Sequence, residues 1–150
     1  MLRDSPALPS GAIVWGNAKP VDERDWATLS DELGATLDAI REQAPDAVIV
    51  VATYPTLLPA SGTCNVIAMT AEDADLMRAV GDRLAEVTRT TAEAHGALVV
   101  DVRALGVGHD ACSNDPWVTG WIDAGPAPFH PNAEGARATA RAIAEALDAA

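Results

Sequence analysis

The sequence predicts an α/β sandwich in which a parallel sheet carries helices on both faces. Two short apolar runs rich in valine, AVIVVATY at 47–54 and ALVVDV at 97–102, have the composition of strands buried on both faces. Longer segments with apolar residues at steps of three and four alternate with these runs, as amphipathic helices do. Strands that alternate with helices are typical of a parallel sheet, because each connection must cross over the sheet.

The first helix is predicted over residues 26–43, and Pro45 ends it. Its apolar side chains form one stripe: Trp26, Leu29, Leu33, Leu37 and Ile40. An earlier run, GAIVW at 11–15, is a candidate for a further strand that would precede this helix. The predicted order is therefore strand, helix, strand, helix, strand, helix.

The second helix begins at TAED, residues 70–73, where Thr70 can cap the helix and an acid follows at the third position. Gly96 ends it, and its predicted apolar face is Leu76, Val80, Leu84 and Val87. Asn132 is predicted to cap the last helix. The inward side chains expected there are Ala136, Ala140, Ile143 and Leu147.

Length and composition favour one domain over residues 1–150, with 49% hydrophobic residues available for a core. The formal net charge of -12 argues against nucleic acid and anionic membrane surfaces as partners, because both carry negative charge. No apolar run is long enough for an integral membrane segment, and MLRDSPALPSG lacks the apolar segment of a signal peptide. Oligomeric state is not indicated.

In a parallel sheet the connections that leave the carboxyl ends of the strands build the site. Here these connections are the loop after Tyr54, the loop from Asp101 through His109, and the opening after Trp15. The second of them continues irregularly from Arg103 to Pro131, and a connection of that length without periodicity is usually functional. Tyr54 and His109 are therefore candidate pocket residues.

Three histidines could carry chemistry. His95 falls in the last turn of a predicted helix, where a cation suits the helix dipole, and is interpreted as structural. His109 is either a loop residue bonded to nearby backbone or a pocket residue. His130 lies just before the N-terminus of the last helix, where the dipole disfavours the imidazolium and so favours a neutral base.

The two cysteines, Cys64 and Cys112, are 48 positions apart and belong to no Cys/His set with metal-ligand spacing. We therefore expect no metal. From the residues alone, two free thiols and one disulfide are equally good readings. No strand is followed by a glycine-rich phosphate loop, so a nucleotide-binding Rossmann-like domain ranks last among the functions considered, and no cofactor is expected.

Three segments together resemble the SGNH, or GDSL, esterases and lipases, and in particular their secreted actinobacterial branch. They are APDAVIVVATYPTLLPASGTC at 44–64, HGALVVDVRALGVGHDACSNDPWVTGW at 95–121 and FHPNAEGARATARAIAEAL at 129–147. Their order and spacing carry the resemblance, which extends from about Trp26 to Leu147.

The resemblance implies a flavodoxin-like three-layer α/β/α sandwich and hydrolysis of a small-molecule or lipid ester. It makes His130 the general base for a serine, and it implies a disulfide between Cys64 and Cys112. Secretion is implied as well. Because the family's first strand and nucleophile block have no counterpart here, the resemblance leads us to expect residues 1–150 to be an incomplete domain of this type, inactive by itself.

The chain departs from the family pattern at the other catalytic positions. No Gly-Asp-Ser occurs, and Ser5 in RDSPAL lacks both the glycine and a preceding strand. Asn17, after Trp15 and Gly16, resembles the oxyanion-hole asparagine, although Ala18 stands where the family has aspartate. Ala127 occupies the position of the triad acid, so its backbone carbonyl, rather than the carboxylate of Asp123, is predicted to orient His130.

Two functions from different classes remain. The first is a serine ester hydrolase in which His130 deprotonates a serine that we do not find in this chain. The second is a binding module that keeps the pocket of such an enzyme but has lost catalysis.

Overall fold

The structure is a computed structural model that describes residues 21–122 and 127–150. The predicted strand at 11–15 and the candidates Ser5, Asn17 and Asp123 lie outside the described residues. The elements, in chain order, are α1 (Glu23–Gln43), β1 (Val50–Ala52), α2 (Ala71–Ala94), β2 (Leu98–Val100), α3 (Val102–Leu105) and α4 (Ala133–Asp148).

Strands β1 and β2 pair in parallel, with Val51 opposite Val99 at the centre of the register. This confirms the parallel sheet predicted from the two valine-rich runs. The ladder is shorter than either run, but backbone hydrogen bonds continue it at both ends, from Leu98 N to Ile49 O at 2.9 Å and from Thr53 N to Val100 O at 3.0 Å. Helix α2 is the crossover between the two strands.

Each long helix begins at a side chain that caps its free N–H groups. The Asp22 carboxylate accepts from the N–H groups of Arg24 and Asp25 in a capping box, so α1 starts three residues before the predicted Trp26. Thr70 caps α2 and Asn132 caps α4, as the sequence predicts. Short polar side chains therefore fix where the three long helices start.

The core of the described residues has two parts. The first lies where α1 and α2 pack on the sheet, and it consists of Leu37, Ile49, Ala92 and Ala97 with Leu33, Val51 and Val99 at its edge. The second lies under the loops, and it consists of Leu58, Ile67, Met69, Ala74, Ala111 and Val118. Helix α4 also lies against both strands. The loops that leave the carboxyl end of the sheet therefore rest on a core of their own.

The buried face of α4 differs from the predicted one. Gly135 and Ala138 are buried, whereas Ala136, Ala140 and Leu147 are exposed. A Cβ on Gly135 would overlap the backbone carbonyl of Trp117, so this glycine marks the closest approach of the helix to the rest of the chain. Ile143 of the predicted stripe is half-buried, and the helix makes its closest approach at Gly135 because this position has no Cβ.

Cys64 and Cys112 form a disulfide, with their Cα atoms 5.9 Å apart. The bridge confirms the pairing that the resemblance implied. Both cysteines pack at the edge of the core under the loops. The bridge therefore joins the loop after β1 to the loop after β2.

Among the helices of residues 21–122 and 127–150, none combines the length and apolarity that a bilayer crossing requires.

Candidate active site

His130 sits in a short segment that pairs with the chain at 117–120. Val118 and Pro131 form an antiparallel bridge, and the N–H of Thr119 donates to His130 O at 2.9 Å. Asn132 N donates to Trp117 O at 2.8 Å, directly before α4 begins. Backbone hydrogen bonds on both sides of His130 therefore fix it just before the N-terminus of α4.

The His130 ring uses one of its two nitrogens. Its Nδ1 lies 2.7 Å from the carbonyl oxygen of Pro128. Because a carbonyl can only accept, Nδ1 carries the hydrogen in the neutral imidazole, and in that form the lone pair of Nε2 is free to take a proton. This arrangement is what a general base requires, and it needs no carboxylate.

The carbonyl at the ring is that of Pro128, one residue later than the predicted Ala127. Ala127 O instead accepts from the hydroxyl of Thr119 at 2.9 Å. Phe129 adopts φ 56°, a left-handed conformation, so the chain turns sharply between Pro128 and His130. That turn brings the nearer carbonyl back to the imidazole and explains why the predicted partner is different.

An apolar cleft of about 380 Å³ opens beside His130. Tyr54 and Pro55 line it from the end of β1, and the face of α2 that contains the predicted Val80 and Leu84 forms a wall. The cleft residues are Tyr54, Pro55, Leu57, Leu58, Met69, Met77, Arg78, Val80, Gly81, Leu84, Arg103, Pro128, Phe129 and His130. A volume and lining of this kind suit a small apolar group.

Tyr54, a candidate pocket residue in the sequence, is one of the residues that line this cleft. Its hydroxyl donates to Phe129 O at 2.9 Å. Although Tyr54 is 43% exposed, partial burial raises the pKa of its phenol, since the charged phenolate would lose hydration there. Tyr54 therefore contributes an apolar ring to the cleft and a donor to the turn that precedes His130.

His109, the second pocket candidate, is not among the residues that line the cleft. Its ring stacks on Trp117, with centroids 4.0 Å apart and planes 11° from parallel. Its Nδ1 lies 2.8 Å from Asp115 O. Stacking on Trp117 and this local contact hold the ring against its own loop. The predicted alternative of a histidine bonded to nearby backbone describes it better.

His95 is the C-cap of α2, and its Nδ1 lies 2.7 Å from the Asp38 carboxylate of α1. It has the structural position that the sequence predicted.

Within the described residues no group of three His, Cys, Asp or Glu side chains could hold a metal ion. The candidate site is therefore made of His130, its turn and the apolar cleft.

The described serines are engaged elsewhere or exposed. Ser30 exchanges a hydrogen bond with Thr91 between α1 and α2, and Ser113 donates to Asp110 O. Ser61 is exposed in the loop after β1. Across residues 21–122 and 127–150, no serine hydroxyl is hydrogen-bonded to the His130 ring.

The sequence interpretation missed two contributors to this site. One is Thr119, whose hydroxyl and N–H both contact the segment that carries His130. The other is the outer part of the α2 face, Met77 and Gly81, which extends the cleft beyond the predicted stripe. A threonine in an irregular connection has no periodic pattern to indicate it, whereas the α2 residues could have been found by widening the stripe by one position.

A family model described as GDSL-like lipase/acylhydrolase matches residues 13–138. Lipase 1 of Streptomyces coelicolor is 34% identical over 111 residues, which cover 73% of this chain and 40% of that protein. Lipase 2 of the same organism is 30% identical, with coverage of 92% and 52%. The chain thus spans about half the length of the curated relatives it matches.

Two solved structures are similar in fold as well as in sequence. A phospholipase A1 from Streptomyces albidoflavus matches with a TM-score of 0.70 and 28% identity, over 82% of this chain and 51% of that one. An extracellular lipase from Streptomyces rimosus matches with a TM-score of 0.68 and 29% identity, with the same coverage.

Proposed function

Because the chain belongs to the GDSL-like lipase/acylhydrolase family, we propose that it supplies the general base and part of the acyl pocket of a carboxylic ester hydrolase. The observation that carries this proposal is the contact between His130 Nδ1 and Pro128 O, which in the neutral ring places the free lone pair on Nε2, beside the apolar cleft. Nε2 would take the proton of a serine hydroxyl as the oxygen attacks the ester carbonyl. The same proton would then go to the departing alcohol.

In this proposal the cleft holds the acyl chain of the ester. Most of its lining side chains are apolar residues of α2 and of the loop after β1, with Arg78 and Arg103 also at the cleft, and burial of an alkyl chain against the apolar ones is favourable. The relatives named as lipases and as a phospholipase support an ester of a lipid or of a smaller molecule as substrate. Asn17 remains a proposed oxyanion donor.

We propose that the serine belongs to a part of the family's fold that this chain does not match. The chain by itself should then hydrolyse esters no faster than buffer does, because a base without a nucleophile cannot form the acyl-enzyme. We also propose secretion. The disulfide supports it, because such bridges persist in oxidising environments, and one similar protein is described as extracellular.

A chimera tests the role of His130. In it, this chain replaces the matching segment of Lipase 2 from Streptomyces coelicolor, and hydrolysis of a short-chain aryl ester is measured. We expect turnover by the chimera and a loss of about 10³-fold or more in His130→Ala. His95→Ala, a histidine variant outside the site, is the matched control and should retain the activity.

Equal activity of the chimera and its His130→Ala variant would show that another group is the base. A second function, binding without turnover, is favoured by the hydrogen bonds of Ser30 and Ser113 to partners other than His130. A folded but inactive chimera, together with displacement of a fluorescent fatty acid from the cleft by esters, would support that function instead.

A further inference from the structure

The turn that carries His130 is tied to a single threonine. The Thr119 hydroxyl donates to Ala127 O at 2.9 Å and accepts from His130 N at 3.2 Å. The backbone N–H of Thr119 donates to His130 O at 2.9 Å. Both ends of the turn from 127 to 130 are therefore fixed to one residue, which does not itself line the cleft.

Tyr54 holds the middle of the same turn. Its hydroxyl donates to Phe129 O at 2.9 Å, and its backbone directly follows the last hydrogen bonds of β1. The carbonyls of Ala127, Phe129 and His130 are thus all occupied by donors from Thr119 or Tyr54. Pro128 O is the carbonyl of this turn that is left for the imidazole.

The turn needs such support because Phe129 has φ 56°. A residue with a bulky side chain pays for this left-handed conformation, which persists only where the surroundings determine it. If the ties were removed, the backbone would relax toward negative φ and Pro128 O would move away from Nδ1. The imidazole would then be free to exchange its hydrogen between the two nitrogens.

We propose that Thr119 and Tyr54 are positioning residues that fix the His130 tautomer, with the hydrogen on Nδ1 and the lone pair on Nε2. They act through the backbone of the turn and not by touching a substrate's reacting atoms. This inference deepens the proposed role of His130 and rests on it. Its structural content, the tautomer, can be measured without any turnover.

The test uses the whole chain labelled with ¹⁵N at histidine. Two-bond ¹⁵N–¹H correlations at roughly pH 8.5, about two units above the usual pKa of histidine, report which nitrogen of each ring carries the hydrogen. For the unmodified chain we expect His130 to be protonated at Nδ1. Thr119→Val, which keeps the shape and removes the hydroxyl, should shift His130 toward the Nε2-protonated form.

Two further variants make the test specific. Thr119→Ser retains the hydroxyl and should restore the Nδ1-protonated signal, whereas Tyr54→Phe should shift His130 in the same direction as Thr119→Val. His95, held by Asp38, and His109, stacked on Trp117, report the fold and should keep their signals in every variant.

Three results would overturn the inference. One is an unmodified chain with its hydrogen on Nε2 of His130, and another is an unchanged His130 tautomer in both Thr119→Val and Tyr54→Phe. The third is a change at His95 and His109 as large as that at His130, because the residues would then act only on global stability. The proposed function fails by a different measurement, the turnover of the His130→Ala chimera, so the two failures are distinguishable.

Discussion

Gly135, in the first turn of α4, packs directly against the backbone carbonyl of Trp117. A Cβ at this position would overlap the carbonyl oxygen, and Gly135 is buried. Trp117 begins the stretch that pairs with the turn of His130. The contact between this glycine and this carbonyl therefore sets how closely the first turn of α4 approaches the stretch that pairs with the His130 segment.

Gly135→Ala should lower the free energy of unfolding by about 1–3 kcal/mol, because backbone must move to make room, even though alanine favours helix. Urea denaturation measures this change. Gly81→Ala is the matched control, since the atoms nearest its added Cβ belong to the end of the Arg103 side chain, at 3.0 Å or more. Its effect should be smaller, and equal losses would contradict the importance of the Trp117 contact.

Thr53 connects the carboxyl ends of the two strands and is only 3% exposed. Its hydroxyl donates to the Asp101 carboxylate at 3.1 Å and accepts from Arg103 N at 3.0 Å. Thr53→Val should cost about 1–3 kcal/mol, because the N–H and the carboxylate would lose a partner in a buried place.

The control for this prediction is Thr28→Val. Thr28 is exposed on α1, and within the described part of the chain its hydroxyl bonds only to Arg24 O of the same helix. Its effect on the urea midpoint should correspond to no more than about 0.5 kcal/mol. Similar shifts of the urea midpoint for the two variants would mean that the hydrogen bonds of Thr53 add no measurable stability.

Reduction of the bridge between Cys64 and Cys112 should destabilise the fold. The bridged residues are 48 positions apart, and closing a loop of that length is worth about 4 kcal/mol in the chain-entropy model. We expect the urea midpoint to fall when a reductant is added and to stay constant in the Cys64→Ala, Cys112→Ala double variant. Rapid labelling of both thiols in the native, unreduced protein would show that the bridge is absent.

The Tyr54 phenol should ionise above the pH 10.0 of an unburied tyrosine, because burial raises its pKa. The unfolded chain ionises first, so the stability from the neutral phenol is complete below about pH 10 and is lost as the pH rises through the folded-state value. Tyr54 is the single tyrosine of the chain, so phenolate absorbance reports on it alone. The same titration midpoint with and without denaturant would refute the prediction.

Local patterns in the sequence were sufficient for the two strands and the three long helices of the described residues, whereas the short helix α3 occupies 102–105, where the sequence predicted the end of a strand and the start of an irregular connection. Valine-rich runs predict β1 and β2, and the caps Thr70 and Asn132 lie where short polar side chains precede apolar periodicity. The disulfide came from the family resemblance, because spacing alone could not choose between a bridge and free thiols. The face of α4 was predicted incorrectly, since a close backbone contact at Gly135 outweighed the apolar stripe.

The site was harder to predict because its parts are irregular. His130 stands out by its place before a helix, but the carbonyl beside its ring depends on the left-handed φ of Phe129, which no rule for phenylalanine would suggest. His109 lies in the expected connection, but its ring stacks on Trp117 and does not line the cleft. The hydrogen-bond partner of His130 and the position of the His109 ring are set by contacts between residues that are distant in sequence.

The disulfide also divides the chain by its response to mechanical force. Residues 64–112, which include α2, β2 and α3, become a closed covalent ring, whereas α1 and α4 lie on linear arms outside it. Tension applied at the two ends can straighten the arms and detach α4 together with the His130 segment before it. It cannot extend the ring. Pulling the oxidised protein would therefore disassemble the proposed base before the crossover helix, and the released contour length would increase once the bridge is reduced.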